Sequence, residues 1–132
     1  MFKMLISPRF GDVDVLGHIN NTTPAFWFEQ ARNPIFRIFA PELKISHETW
    51  HLIMAHTDYD FVDEMFMGHD IEIRSGISRI GTKSFTVYQE AWQLEKLCVK
   101  GNAVIVYYDF IAKKSVPIPE DIKRILEKHR FL

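Results

Sequence analysis

Between Arg9 and Asn21 the chain reads Arg-Phe-Gly-Asp-Val-Asp-Val-Leu-Gly-His-Ile-Asn-Asn, a stretch dense in carboxylates, amides and one imidazole. Two chemistries could use such a set. Calcium is the first, because Asp12, Asp14 and Gly17 fall at the first, third and sixth positions of an EF-hand loop. Leu16 at the fifth position offers no side-chain oxygen, and Thr23 stands at the twelfth where a bidentate glutamate is needed, so the spacing excludes it. The second is attack on a carbonyl carbon, which needs a base or nucleophile, donors for the oxygen that becomes negative, and a pocket that keeps water out. An acid-bearing loop that runs into a helix start supplies the first two. The same aspartates could instead serve only to fold the turn by accepting backbone amides.

Those residues need elements to hold them. Phe2 to Phe10 reads as a first strand, with Pro8 marking its end because proline cannot donate to a ladder. Thr23 followed by Pro24 reads as a cap and first helical residue, starting a helix that runs towards Phe39. Phe28, Ala31, Ile35 and Ile38 recur every three or four residues, while Phe26, Trp27, Phe36 and Phe39 widen the apolar surface until the helix must be enclosed. Pro34 removes one helical hydrogen bond, so the helix kinks or restarts there. Residues 50–62, 70–80, 84–94 and 99–112 carry β-branched or alternating character and form four long strands. Turns are expected at Gly68-His69, at Ile80-Gly81-Thr82-Lys83 and at Lys100-Gly101-Asn102, each with a glycine for unusual backbone angles. Glu120 to His129 has acids first and bases last, the polarity of a short C-terminal helix.

One enclosed helix, one strand before it and four after it make an α+β fold in which a curved five-stranded antiparallel sheet wraps a long central helix. At 132 residues this is one domain, 1–132, and the 47% hydrophobic composition is enough to build its core. Open sheet edges, with 11 Phe and 3 Trp to hide, point to a homodimer or homotetramer.

The ordered segments resemble the hotdog-fold acyl-CoA thioesterases of the 4-hydroxybenzoyl-CoA thioesterase type. The likeness rests on Asp-x-x-Gly-His-Ile-Asn-Asn from Asp14 to Asn21, then Phe28-Glu29-Gln30-Ala31-Arg32, Gly68-His69-Asp70, Arg79-Ile80-Gly81-Thr82-Lys83-Ser84-Phe85, and Val106-Tyr107-Tyr108-Asp109 leading to Pro117-Ile118-Pro119-Glu120. It spans roughly residues 3–120 and departs at Pro24, where many relatives carry an aromatic residue. The resemblance implies hydrolysis of an acyl-CoA or acyl-carrier-protein thioester, with Asp14 as general base or nucleophile and a backbone N–H near Asn21 as oxyanion donor. By the same comparison His18 polarises or orients the thioester, Gly17 and Asn20 shape the substrate site, and Glu29 supports it from the helix. Arg79, Lys83 and Ser84 are the residues expected to meet the nucleotide of the thiol carrier. A non-catalytic acyl-thioester binding module is the alternative reading, and Asp12 is expected to be structural.

Several classes drop out. Sixteen basic against seventeen acidic residues give a net charge of -1, which argues against nucleic-acid binding. The single Cys98 allows no internal disulfide, the amino-terminal apolar run is broken by Ser7-Pro8-Arg9, and no run approaches a membrane span, so a cytoplasmic protein without membrane attachment is expected. The remaining histidines lack ligand spacing, and neither a metal nor a cofactor is expected. Asp58, Asp60, Asp63 and Glu64 are expected to form a solvated strand end.

Overall fold

A computed structural model describes residues 1–132. Its elements are β1 (Phe2–Ile6), a single 3-10 turn (Phe10–Asp12), α1 (Thr23–Ala31), α2 (Asn33–Phe39), β2 (Leu52–Phe61), β3 (Ile71–Ile80), β4 (Ser84–Gln93), β5 (Lys96–Asp109), the two-residue β6 (Lys114–Ser115) and α3 (Glu120–Glu127). The strands pair antiparallel in the order β1-β3-β4-β5-β2, with β6 added beside the end of β5. Register shifts within β2, β3 and β5 insert the bulges that let strands of this length curl around the helices. This is the expected curved sheet on a central helix, with a sixth short strand.

The helix restarts rather than kinks. Pro34 has no N–H to return to the preceding turn. Arg32 closes α1 by donating its amide to the Phe28 and Glu29 carbonyls, and its own carbonyl accepts from Ile35 and Phe36 to begin α2. The core divides at the same level. One apolar cluster gathers Trp27, Phe28, Met65, Ile71 and Ile73, and the other gathers Ile35, Phe85, Val87, Ile105 and Leu126. Between them Ser75, Gln89, Gly101 and Tyr59 form one row across β3, β4, β5 and β2. Gln89 donates to Ser75 Oγ and to the Phe28 carbonyl, both at 2.9 Å, and accepts from Arg32 Nη1 at 3.0 Å. Arg32 is 4% exposed, has no carboxylate within ion-pair distance, and its Nε has no partner. Burial therefore pulls its pKa down, opposed by nearby Tyr59 and Glu29.

Two expectations change. The β4–β5 turn is at Leu94 and Glu95, both with positive φ, a pair suited to a two-residue hairpin even without glycine. Gly101 instead lies inside β5, where a Cβ would collide with the Asp58 carbonyl and crowd the Tyr59 ring. The first strand ends at Ile6, and residues 7–9 lead into the 3-10 turn.

Truncating Gln89 to Ala leaves a buried guanidinium without its acceptor and should cost about 3 kcal/mol. Urea unfolding should show a lower midpoint with an unchanged m-value. A midpoint within error of the parent would mean that the buried row contributes nothing to holding α1 on the sheet.

Candidate active site

Asp12 anchors the loop. Its carboxylate is almost wholly buried and accepts from the Arg9 amide at 2.8 Å and from the Arg9 guanidinium at 3.1 Å. Burial pushes this carboxyl's pKa up, but the Arg9 hydrogen bonds and charge together outweigh burial and hold it below the usual value. The Asp12 carbonyl then accepts the Asn20 amide at 2.7 Å and the Thr23 hydroxyl at 3.3 Å, which closes residues 12–20 into a small lobe. Asp12 is structural, as expected.

Inside that lobe, Asp14 folds the tip. Its Oδ1 accepts the amides of Leu16 at 2.8 Å and His18 at 3.1 Å, while its own N–H donates to the His18 carbonyl. Gly17 turns the chain back at φ +80°, a conformation that costs a side-chain-bearing residue energy. Only one carboxylate oxygen is engaged. Asp14 Oδ2 accepts no hydrogen bond from the protein.

The lobe is sewn to the segment between β2 and β3. Ile19 donates its amide to the Met65 carbonyl at 2.8 Å, and His18 bridges Phe66. Gln93, 4% exposed at the end of β4, clamps the same segment by accepting the Phe66 amide and donating to the Phe66 and His69 carbonyls. The two walls enclose an open cleft of about 580 Å³ lined by Asp14, His18, Asn21, Pro24, Phe61 and Glu64, among others. His18 Nε2 lies 4.0 Å from Glu64 Oε2, and its ring meets Phe66 edge-on.

The start of α1 forms the floor. Thr23 does not cap the helix as expected, because its hydroxyl is turned to Asp12; the helix has no side-chain cap, and Asn20 instead folds the turn before it by accepting the Thr22 amide at 3.1 Å and the Thr22 hydroxyl at 3.0 Å. The Thr23 amide goes to the Asn20 carbonyl, and Pro24 has none to give. The Asn21 N–H donates to no protein group. An amide without a protein partner, two residues before the start of α1 and on a residue of the same cleft as a half-used carboxylate, can stabilise an oxyanion while the carboxylate activates water.

Asp14, His18, Asn20 and Asn21 therefore share one cleft. Gly17 lies outside that lining, in a neighbouring depression that Asp14 also borders. Glu29 is exposed on α1 outside the cleft lining. Arg79, Lys83 and Ser84 sit at the far end of the sheet, the length of β3 away, roughly 30 Å at the usual rise per residue. One chain does not bring them to Asp14. Asp63 and Glu64, read from sequence as part of a solvated strand end, are exposed just past β2 and also line the cleft. Their only local signal is the break in alternation after Val62; the pairing that delivers them, His18 with Phe66, is long-range. No group of three or more His, Cys, Asp or Glu side chains is set to hold a metal ion, and no helix is long and apolar enough to cross a membrane.

The model of the thioesterase-like superfamily matches residues 8–126. The chain belongs to that superfamily. It is a thioester hydrolase with the hotdog fold of that family. A predicted thioesterase from Bacillus stearothermophilus superposes with a TM-score of 0.93 at 38% identity, over 98% of this chain and 96% of that one. A thioesterase from Thermus thermophilus, solved with coenzyme A and zinc, shares the fold with a TM-score of 0.83 at 23% identity, over 96% and 91% of the two chains. The uncharacterized protein YsmA of Bacillus subtilis (strain 168) is 25% identical over 122 residues, 92% of this chain and 82% of that protein.

Acid stability reports on the loop of this thioesterase. Because the folded pKa of Asp12 lies below its unfolded value near 3.8, its stabilisation is complete above that value and is lost as pH falls through the folded one. Arg9→Met removes the guanidinium bond and charge and leaves only the main-chain amide to oppose burial, so the acid unfolding midpoint, followed by fluorescence of buried Trp27, should move to higher pH. An unmoved midpoint would show that the Arg9 pair does not anchor the lobe.

Proposed function

We propose that this thioesterase hydrolyses acyl-CoA thioesters in the cleft between the Asp14 lobe and the segment after β2. Asp14 Oδ2 acts as general base on water or as nucleophile towards the carbonyl carbon. The Asn21 amide holds the oxygen that becomes negative, and collapse of the tetrahedral intermediate breaks the carbon–sulfur bond: with water as attacker it gives free acid and thiol directly, and with Asp14 as attacker it gives thiol and a mixed anhydride that water then opens to the free acid and the aspartate. His18 orients the thioester, and Asn20 Nδ2, which bonds no protein group, is a second donor to it. The observation that carries this reading is the free Asn21 N–H on the same cleft as the unengaged oxygen of Asp14. Coenzyme A in the Thermus thermophilus relative supports the choice of thiol.

The nucleotide end is assigned to a second copy. Val62 donates to the Cys98 carbonyl, and alternation along the β2–β5 ladder then leaves the backbone groups of Phe61, Tyr59 and Thr57 directed away from β5. That edge is bare: Ile53, Met54, Phe61 and Val62 are 40 to 56% exposed. Antiparallel pairing of two such edges sets the Phe61 end of one copy beside the Leu52 end of the other. The β3–β4 hairpin lies at the Leu52 end, because the Lys83 carbonyl accepts the amide of Tyr107, which faces Leu52. Arg79, Lys83 and Ser84 of a second copy thus come to the end of the sheet that bears the cleft and offer cations and a hydroxyl to the phosphates.

Asp14→Asn should lower turnover about a hundredfold or more when thiol release is followed on a panel of acyl-CoA thioesters. Equal rates in the two proteins would remove Asp14 from the chemistry. Thr57→Pro should block edge pairing without removing a β2–β5 bond, giving a monomer by sedimentation and at least a tenfold loss of thiol release. A fully active monomer would show that the hairpin of a second copy is not needed.

A further inference from the structure

The proposed cleft is strongly one-sided in charge. Asp14 stands on one wall, Asp63 and Glu64 on the other, and no lysine or arginine lines it. His18 is the only cationisable side chain in the lining, and Lys96 reaches Asp63 Oδ2 at 3.5 Å from outside it. The Glu64 amide, followed by the Lys96 charge, holds the Asp63 carboxyl below the usual range.

Asp63 folds the turn by accepting the Glu64 amide and pairs with Lys96, whereas Glu64 has no folding task that explains its place. The Glu64 carboxylate accepts no hydrogen bond and is 63% exposed towards the cleft, with only His18 at 4.0 Å. Nor does hydrolysis require them, since Asp14 and the Asn21 amide supply base and donor. They are nonetheless held firmly, because the buried Gln93 side chain and the Ile19–Met65 bond fix the segment that carries them. The rest of that wall is apolar, with Phe61, Val62 and Met65 available to an uncharged acyl group. An acyl group ending in its own carboxylate would bring a further negative charge into a lining whose three carboxylates are answered by one lysine, Lys96, and the His18 imidazole.

We infer that Asp63 and Glu64 are specificity-determining residues that make the cleft accept thioesters of neutral or positively charged acyl groups and reject those ending in a second carboxylate. The inference rests on the thioesterase reading of this cleft.

Propionyl-, malonyl- and β-alanyl-CoA have similar length and differ in charge, so kcat/KM for thiol release on the three isolates the effect. The parent protein should prefer propionyl- over malonyl-CoA by about tenfold or more, should use β-alanyl-CoA at least as well as propionyl-CoA, and should lose discrimination as salt rises. The propionyl-to-malonyl ratio should fall at least about fivefold in the Asp63→Asn/Glu64→Gln protein and invert in Glu64→Lys. Calorimetric affinities for S-propyl-CoA and S-carboxyethyl-CoA, thioethers that cannot be cleaved, read the same ratio without turnover. Turnover with an unchanged ratio in the variants, or a parent preference for malonyl-CoA, overturns the inference and leaves hydrolysis standing. Charge-dependent thioether affinity without turnover leaves the inference standing and removes hydrolysis, and absence of both removes both.

Discussion

A positive charge buried without a counter-ion governs the geometry of this molecule. Arg32 lies between two apolar clusters, and its guanidinium is met by the oxygen of one amide, Gln89, whose nitrogen in turn holds Ser75 and the Phe28 carbonyl. Such a group is costly to enclose, and removing its acceptor costs more than the bond itself contributes. The bonds tie α1 to the middle of β3 and β4 at the level where Pro34 interrupts the helix. The N-terminal end of α1 is thereby fixed over the first cluster, which sets where the free Asn21 amide stands. Gly101 belongs to the same constraint, since only a residue without Cβ lets β2 and the Tyr59 ring close over that row.

Two aspartates separated by one residue illustrate how the surroundings divide labour. Asp12 is enclosed and saturated by Arg9, so its charge is spent on holding the lobe. Asp14 is at the surface, gives one oxygen to the Leu16 and His18 amides, and keeps the other. The bonds that fold the tip also restrict the carboxylate's rotation, so loop stability and aim of the unengaged oxygen are the same interaction. His18 is held in the same way, through its backbone to Asp14 and Phe66, which leaves the ring facing Glu64 and the cleft.

The single chain is complete as a core but leaves one sheet edge open. Its buried side chains are satisfied apart from one nitrogen of Arg32, yet β2 carries apolar side chains and backbone groups with nothing across from them. Acidic groups gather at one end of the sheet and the basic hairpin at the other. Two-fold pairing along β2 is the arrangement that sets unlike ends side by side, and it would serve the fold and the coenzyme together.

The sequence by itself determined what local chemistry controls. Alternation placed the strands, Pro34 interrupted the helix, and the density of acids, amides and glycine between Arg9 and Asn21 marked the loop that lines the cleft, because these signals act over a few residues through backbone angles and nearby hydrogen bonds. Likeness of the ordered motifs to a known family added the role of Asp14. What only the tertiary structure decided depends on partners far away along the chain. Leu94 and Glu95, without glycine, turn the chain because the ladder on either side imposes positive φ on them, whereas Gly101 answers to a carbonyl 43 residues earlier. Asp63 and Glu64 became a wall of the cleft because Met65 and Phe66 bind the Asp14 lobe and Gln93, and Arg79 and Lys83 fell at the opposite end because strand direction, which periodicity does not encode, carries them there.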